Sequence, residues 1–263
     1  IAEGEEWLGG PFASTIALQY YIEYLRSDSS TISEEDIDKN KIHVFPNKSI
    51  EKLLFPFVEA EVHFHKNMSN ADILNARGFG NRLGFKKGIT LILGAGNVSS
   101  IPLLDTIFDM VVNRHCVLLK LNPVNEYLKP VFEQVFENFI NNGFMIVTTG
   151  NVDVSSYMTQ HTGITNMHLT GSDITYENIV YGSTLEEKDK GKKTLSKVNK
   201  KPFTTELGNV TPFIIHPGTW SSSEIKYQAR KIVTAKLNNN GFNCIAAQVV
   251  VLPKGWKNTN KLV

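Results

Sequence analysis

The chain has 263 residues, of which 41% are apolar and 20% charged, as in a globular protein with a sizeable core. Its 27 Lys and Arg residues nearly balance 26 Asp and Glu residues, giving a formal net charge of +1. This balance excludes a polyanion as the main partner, so we expect no nucleic-acid binding. No apolar run is long enough to span a membrane, and two cysteines cannot build a disulfide framework. We therefore expect a cytoplasmic protein without membrane contact.

The first third of the chain indicates little about function. Residues 14–26 have apolar side chains at helical spacing, and a second helix is predicted over residues 49–64, kinked or split at Pro56. His63 and His65 alternate, so an extended backbone could direct both at one metal ion. No cluster of Cys, Asp or Glu nearby completes a ligand set, and we expect no metal site.

From residue 86 onward, apolar strand-like runs alternate with helix-like runs. Strands are predicted at residues 89–93, 116–121, 144–148 and 166–170, and helices within residues 99–112, 127–141, 154–161 and 173–181. Continuously apolar strands separated by helices are typical of a parallel sheet covered on both faces, so the sequence predicts a doubly wound, mostly parallel α/β fold. The lysine-rich run at residues 186–201 is predicted to be a solvated loop or a ribbon between domains.

The last part of the chain carries Cys244 between two predicted elements. Strands are predicted at residues 203–207, 213–216 and 248–252, and Ser221 begins a helix that ends near Leu237. A thiol at the boundary between two elements can be reached by a small substrate, which makes Cys244 a candidate nucleophile. Taken alone, a free cysteine is more often a small buried hydrophobe.

Two strand ends in the α/β region have features of a nucleotide site. Gly94 and Gly96 supply two of the three glycines of a G-x-G-x-x-G turn, which would let a ligand approach the backbone closely. A plain strand-to-helix turn fits these residues equally well. Lys120 ends the next strand, where an NAD site commonly has an acidic residue. A lysine there suits an adenine ribose or a 2′-phosphate, and a solvated lysine is the alternative.

Two further strand ends carry candidate site residues. Gly171 and Ser172 open a predicted helix whose first N–H groups are free for a phosphate or a cofactor amide, although Ser172 could be only an N-cap. Glu206 ends an apolar strand beside Gly208. A carboxylate held near a thiol can deprotonate it, or can activate a water that hydrolyses a thioester. A surface glutamate is the alternative.

The order of these motifs resembles the aldehyde dehydrogenase superfamily over residues 86–253. The resemblance implies that Cys244 attacks the carbonyl of an aldehyde. It implies that the Asn97 side-chain amide and the Cys244 N–H hold the oxyanion, and that Glu206 activates the water that releases a carboxylic acid.

The same resemblance implies NAD or NADP as cofactor, a small aldehyde as substrate and a homo-oligomer. Lys120 would contact the adenine ribose, while Gly171 and Ser172 would lie against the cofactor and Gly96 would allow its close approach. The implied domains are an N-terminal helical segment of the cofactor domain, an NAD(P)-binding domain and a partial catalytic domain, at residues 1–85, 86–201 and 202–263.

The sequence departs from the family pattern at several positions. Asn97 follows Gly-Ala-Gly rather than Pro-Trp, and Pro123 replaces a common glutamate that holds the ribose hydroxyls, which leaves NADP open. The Gly-Asn turn is similar to the CoA-acylating, acyl-CoA reductase branch, so a CoA-dependent reaction is one alternative and an inactive nucleotide-binding fragment another. The family continues well beyond residue 263, and we expect an incomplete catalytic domain with little turnover.

Overall fold

The computed structural model describes residues 3–26, 33–76, 87–182 and 196–263. The chain divides into two compact units, one of residues 1–17 with 86–263 and the other of residues 18–85. Residues 186–195 of the lysine-rich run, which the sequence predicts to be a loop, lie outside the described residues. No helix in the described ranges is both long and apolar enough to cross a membrane.

The described residues of the two units form α-helices, β-strands and short 3₁₀ and π-helical segments. The described α-helices are α1 (Glu3–Trp7), α2 (Ala13–Arg26), α3 (Ser49–Leu54), α4 (Asn70–Ala76), α5 (Ser100–Phe108), α6 (Lys129–Val135), α7 (Glu137–Asn141), α8 (Val152–Gln160), α9 (Asp173–Tyr181), α10 (Ser222–Leu237) and α11 (Thr259–Leu262). The described β-strands are β1 (Ile37–Asp38), β2 (Lys41–Phe45), β3 (Ala60–His63), β4 (Ile89–Leu93), β5 (Cys116–Lys120), β6 (Met145–Thr148), β7 (Asn166–Thr170), β8 (Phe203–Glu206), β9 (Pro212–Ile214) and β10 (Val249–Val251). Short 3₁₀ segments cover Glu34–Asp36, Pro123–Leu128 and Asn238–Gly241, and π-helical segments cover Leu8–Phe12 and Asp109–Asn113.

A five-stranded sheet forms the centre of the larger unit. Its strand order is β6-β5-β4-β7-β8, and each neighbouring pair is parallel. This confirms the predicted doubly wound, mostly parallel α/β fold. From β4 the chain first adds β5 and β6 on one side, and then returns to add β7 and β8 on the other. The carboxyl ends of β4 and β7 therefore form the switch point at which such sheets bind ligands.

One buried apolar cluster of this unit lies between the sheet and the helices α8 and α9. Leu91 and Leu93 of β4 pack with Met167 and Leu169 of β7 in one buried cluster. Met158 of α8 and both Tyr176 and Ile179 of α9 pack against that cluster. Because side chains alternate along a strand, the residues between these positions point to the opposite face of the sheet, toward α5.

The carboxyl-terminal part of the same unit is a two-stranded parallel sheet of β9 and β10, with α10 in the connection between the strands. Ser221 caps α10 as predicted, since its hydroxyl accepts the N–H of Glu224 and its own N–H donates to the Glu224 carboxylate. Trp220 and Trp256 pack edge to face, with their ring centroids 4.9 Å apart. Both rings lie on a small core around Ile225.

The smaller unit corrects one prediction of the sequence. The helix predicted over residues 49–64 is wrong beyond Leu54, because residues 60–63 form β3, which pairs antiparallel with β2. Pro56 is the physical reason: a residue before proline is disfavoured in the helical conformation, and Phe55 has φ −127° and ψ 57°. Within β3, His63 Nε2 lies 3.1 Å from Glu61 Oε2. Among the described residues no group of three or more metal-ligating side chains comes together.

Candidate active site

The carboxyl edge of the central sheet brings together site residues that are far apart in the sequence. Asn97 follows β4, Lys120 ends β5, Gly171 follows β7 and Glu206 ends β8. The strand register places Lys120 beside the end of β4 and Glu206 beside the end of β7. Since parallel strands end at a common edge, four of the predicted residues lie along one side of one sheet.

Lys120 lies at this edge on the face of the sheet that α8 and α9 cover. The residue is only 6% exposed, and its ammonium group has no hydrogen bond or ion pair with a described residue. Burial lowers the pKa of Lys120, and the nearby Glu126 carboxylate partly offsets that effect. A largely buried cation without an acceptor among the described residues is suited to bind a hydroxyl or phosphate oxygen of a ligand.

A cleft of about 630 Å³ opens beside Lys120 between α8 and α9. Lys120, Gly171 and Ser172 all line it, as does Asn122 at the end of β5. The Ser172 hydroxyl accepts the N–H of Thr175 at 3.1 Å, so Ser172 caps α9 and also forms part of the cleft wall. Three of the four predicted cofactor residues therefore share one cavity at the switch point of the sheet.

The fourth predicted cofactor residue, Gly96, has an indirect relation to this cleft. Gly94, and not Gly96, lines the wall. A Cβ atom at Gly96 would lie 2.7–2.9 Å from side-chain atoms of Asn122. Asn122 in turn lines the cleft, and its Oδ1 accepts the N–H of Val124 at 3.1 Å. The glycine thus permits the turn after β4 to lie against Asn122, which a larger residue would displace.

Asn97 lies against the loop that carries Cys244. Its Nδ2 donates to the carbonyl oxygen of Phe242 at 3.0 Å, two residues before the cysteine. An amide nitrogen carries two hydrogens, so one N–H of Asn97 remains available for a developing oxyanion.

Cys244 is exposed, in a turn that the Ala246 N–H closes on the carbonyl oxygen of Asn243 at 3.1 Å. Ala246, which closes the turn, and Ala247, which follows it, are both buried and anchor the turn. The exposed thiol differs from the small buried hydrophobe that a free cysteine usually is. It lies where a substrate in solvent can reach it.

Glu206 is exposed at the end of β8, and no hydrogen bond joins its carboxylate to the Cys244 thiol. Its backbone oxygen accepts the N–H of Gly171 at 3.0 Å. The segment that follows Glu206 reaches Thr211, whose hydroxyl lies 3.5 Å from the carbonyl oxygen of Cys244. The carboxylate is therefore connected to the cysteine turn by a short stretch of chain, without direct contact.

Asn239 is a residue of this site that the sequence analysis missed. Its Nδ2 donates both to the Asn97 carbonyl oxygen at 2.9 Å and to the Phe242 carbonyl oxygen at 3.0 Å. The residue is 8% exposed and has φ +53°, a left-handed conformation that asparagine tolerates better than most residues. The sequence predicts only that the helix begun at Ser221 ends near Leu237, just before three consecutive asparagines. In the fold, the middle one joins the two loops of the site.

A smaller cavity of about 310 Å³ lies on the other side of this junction. Asn97, Asn239 and Asn243 line it together with Glu5 and Glu6 of α1. Leu8 and Val98 also line this cavity, so its wall combines amides and carboxylates with apolar side chains.

The family model of the aldehyde dehydrogenase family matches residues 97–260, well over half of the chain. The chain belongs to the aldehyde dehydrogenase family. The match begins at Asn97 and includes Lys120, Glu206 and Cys244. The predicted superfamily is thus confirmed. No curated protein matches the chain.

Solved structures of aldehyde dehydrogenases share this fold at low identity. Substrate-bound AldH from Staphylococcus aureus has a TM-score of 0.57 and 11% identity, over 98% of this chain and 45% of that one. A 3,6-anhydro-L-galactose dehydrogenase solved with bound NADP has a TM-score of 0.52 and 14% identity, over 90% and 39%. The gamma-glutamyl-gamma-aminobutyraldehyde dehydrogenase of Burkholderia cenocepacia J2315 has a TM-score of 0.51 and 18% identity, over 66% and 33%. The chain therefore spans less than half the length of these aldehyde dehydrogenases, and identities this low show a common fold.

Proposed function

We propose that the protein oxidises an aldehyde with NAD or NADP through a covalent intermediate on Cys244. The observation that carries this proposal is the contact between the Asn97 amide and the Cys244 loop, at the same sheet edge where Lys120 lines a cleft. Asn97 follows β4, whose last residue Leu93 lines the cleft, and its amide contacts the loop that carries the exposed Cys244. Membership of the aldehyde dehydrogenase family supports the same chemistry.

The residues of the cleft fit a dinucleotide. The cleft lies at the switch point of the sheet, and the start of α9 lies in its wall. The Lys120 ammonium would hold the adenine ribose or a 2′-phosphate. No carboxylate lines the cleft within the described ranges, and Pro123 is in its wall, so the cleft lacks the acidic side chain that would disfavour a 2′-phosphate by lining it. NAD or NADP would supply the hydride acceptor.

In the first step, the Cys244 thiolate adds to the carbonyl carbon of the aldehyde and forms a carbon–sulfur bond. The carbonyl oxygen takes up the displaced electron pair and accepts hydrogen bonds from the free N–H of Asn97 and from the Cys244 N–H. The carbon–hydrogen bond then breaks, with its electron pair leaving as hydride. An acyl thioester remains on Cys244.

In the second step, the Glu206 carboxylate removes a proton from a water molecule while the water oxygen adds to the acyl carbon. The carbon–sulfur bond breaks and Cys244 leaves as a thiolate. The products are a carboxylic acid and the reduced cofactor, and Glu206 returns its proton to solvent.

A second candidate is transfer of the acyl group to the thiol of coenzyme A. A groove of about 610 Å³, lined by Arg230, Lys231 and Tyr227 of α10, reaches Asn243 and Ile245 on either side of Cys244. From Arg230 to Asn238 the helix rise amounts to about 12 Å, which suits a long arm that ends in phosphate better than a short aldehyde. This basic groove favours a CoA-dependent product as the alternative outcome.

The test applies a panel of aldehydes with NAD and with NADP, each with and without CoA, to the full-length protein, and reduced cofactor and product are measured. Cys244→Ala should lower turnover at least about a thousandfold and leave cofactor binding unchanged. Cys116→Ala is the matched control and should keep its activity, since Cys116 begins β5 at the opposite edge of the sheet.

Three outcomes separate the candidates. A free acid formed without CoA supports hydrolysis, and an absolute requirement for CoA supports acyl transfer. Full activity of Cys244→Ala would show that the proposed chemistry is wrong. No turnover of any aldehyde by a protein that binds the cofactor would instead indicate an inactive nucleotide-binding domain.

A further inference from the structure

The face of the central sheet toward α5 contains two pairs of aspartate and histidine. Asp105 of α5 lies 3.4 Å from His168 Nε2, measured at Oδ2. Asp109, four residues later along the same helical path, lies 3.4 Å from His115 Nδ1, also at Oδ2. The space between a helix and a parallel sheet is usually filled by apolar side chains, so polar pairs in this position call for a physical reason.

The pair formed by Asp105 and His168 connects three elements of the site. Thr170 Oγ1 donates to Asp105 Oδ2 at 3.0 Å, and His168 Nε2 lies 3.2 Å from Thr170 Oγ1. On the other side of the ring, His168 Nδ1 lies 2.9 Å from Thr204 Oγ1. One consistent arrangement has Nε2–H facing Asp105 and Thr170, while Nδ1 accepts the hydroxyl of Thr204. The imidazole thus joins α5, β7 and β8.

The same network lies directly beneath Glu206. The register pairs His168 with Thr204 and Thr170 with Glu206. Residues two apart on a strand share a face, so the Glu206 side chain points to the same side of the sheet as Thr204. Thr170, the residue of this cluster nearest the end of β7, is therefore the direct cross-strand partner of Glu206, the proposed base.

The end of β8 is a position that needs support. Among the strands that the structure describes, β8 is at the edge of the sheet, with β7 as its neighbour. Its last residue, Glu206, has one backbone bond across to the next turn, in which the Gly171 N–H donates to its carbonyl oxygen. A carboxylate on a strand end held from one side can shift, and a shift of about 1 Å at a catalytic group can lower a rate by up to about a hundredfold.

We propose that His168, oriented by Asp105, is a positioning residue for Glu206 in release of the acyl group from Cys244. The proposal rests on the proposed function, because it assigns a support to a residue of that reaction. Neither histidine nor aspartate touches the substrate. They act by fixing Thr204 and Thr170, and through these residues the end of the strand that carries the base.

The experiment uses 4-nitrophenyl acetate, which can acylate a thiolate without any cofactor. The initial burst of nitrophenolate measures acylation of Cys244, and the later steady rate measures release of the acetyl group. Asp105→Asn should keep the burst amplitude and slow the steady rate about tenfold, since His168 loses its anionic partner. Asp109→Asn is the control: it alters the other aspartate–histidine pair on the same helical path, whose histidine precedes β5 at the opposite end of the sheet from Glu206, and it should leave both phases unchanged.

Thr204→Val provides a second variant in case Asp105→Asn fails to fold. Thr204 is exposed, so the loss of its hydroxyl leaves the core intact, and the steady rate should fall about threefold with an unchanged burst. An unchanged steady rate in both Asp105→Asn and Thr204→Val would overturn the proposal. Equal slowing by Asp105→Asn and Asp109→Asn, or loss of the burst in Asp105→Asn, would overturn it as well.

Two reference variants separate this proposal from the proposed function. Cys244→Ala should lose the burst, and Glu206→Gln should keep the burst but slow the steady rate. If either reference variant behaves like the unaltered protein, the proposed function fails. If both behave as expected while Asp105→Asn has no effect, only the positioning role of His168 fails.

Discussion

The two faces of the central sheet differ in what fills them, although the same strands form both. On the face toward α8 and α9, Leu91, Met167 and Leu169 pack in an apolar cluster that ends at the Lys120 cleft. On the face toward α5, Ile92 and Leu119 are also fully buried, and Asp105 and His168 lie beside this apolar packing, close to the end of β8 that carries Glu206. Both faces therefore contribute to the apolar core. One of them borders a cofactor-sized cavity, and the other also carries polar pairs near the proposed base.

The difference shows how one strand can serve two purposes. Met167 and Leu169 alternate along β7 with His168 and Thr170, so neighbouring residues belong to opposite faces. A shift of one residue in the register would place the imidazole in the apolar core and a core side chain beside Glu206. The pairing of β7 with β4 and β8 thus fixes the site and the core together.

The largest effect on stability should come from truncating a side chain of the apolar cluster that faces α8 and α9. Met167 is 1% exposed, and Met167→Ala should lower the free energy of unfolding by about 2–5 kcal/mol through lost contacts and a cavity. Thr90→Val on the polar face, at a residue 2% exposed, should cost about 1 kcal/mol, because it removes one hydrogen bond to His115 Nδ1. Denaturant titration of both variants measures the difference. A larger cost for Thr90→Val would mean that the polar face contributes more to stability than the apolar face.

The next effect concerns the chemistry at the sheet edge. Asn97→Ala should slow acylation of Cys244 about a hundredfold, since the oxyanion loses a side-chain donor. Asn239→Ala keeps that donor but loses the two bonds that hold its loop, and about a tenfold loss is expected. Burst rates with 4-nitrophenyl acetate compare the two variants. If Asn97→Ala is no slower than Asn239→Ala, the Asn97 amide is a support of the loop and not an oxyanion donor.

The smallest effect tests the cofactor side. Lys120→Met keeps the apolar stem and removes the buried ammonium, so NAD(P) affinity should fall about tenfold while the free chain becomes slightly more stable. Burial lowers the pKa of Lys120, so affinity should also fall as the pH rises through that lowered pKa, where the ammonium loses its proton. Isothermal titration calorimetry at several alkaline pH values measures both effects: the loss of NAD(P) affinity in Lys120→Met, and the fall in affinity of the unaltered protein as the pH rises. An unchanged affinity in Lys120→Met would place the cofactor elsewhere.

The sequence predicted the central sheet well because local patterns carry the information. The predicted strands at residues 89–93 and 166–170 have the same bounds as β4 and β7. Apolar runs with clear turn residues between them define a parallel sheet without reference to distant residues. In the smaller unit the helix prediction overlooked such a signal: residues 58–65 alternate between apolar and polar side chains, as in a strand, and residues 60–63 form β3.

The site was less accessible to sequence reasoning. Cys244, Asn97 and Glu206 were proposed from a resemblance, and their chemical roles stay predictions. Asn239 was missed because its role depends on two carbonyl oxygens that the fold brings to it, one of them far away in the sequence. Asp105 and His168 were missed for the same reason, since one lies on a helix and the other on a strand. Their contact depends on the register and on how α5 packs.

The most direct test of the account is to locate the acyl group formed in the burst. The protein is mixed with 4-nitrophenyl acetate, quenched in acid during the burst, digested and examined by mass spectrometry. The account predicts one acetyl group, on the peptide that contains Cys244, and about a hundredfold slower appearance of that group in Asn97→Ala. An acetyl group on Cys116 or on a hydroxyl residue, with Cys244 unmodified, would contradict the claim that Cys244 is the nucleophile.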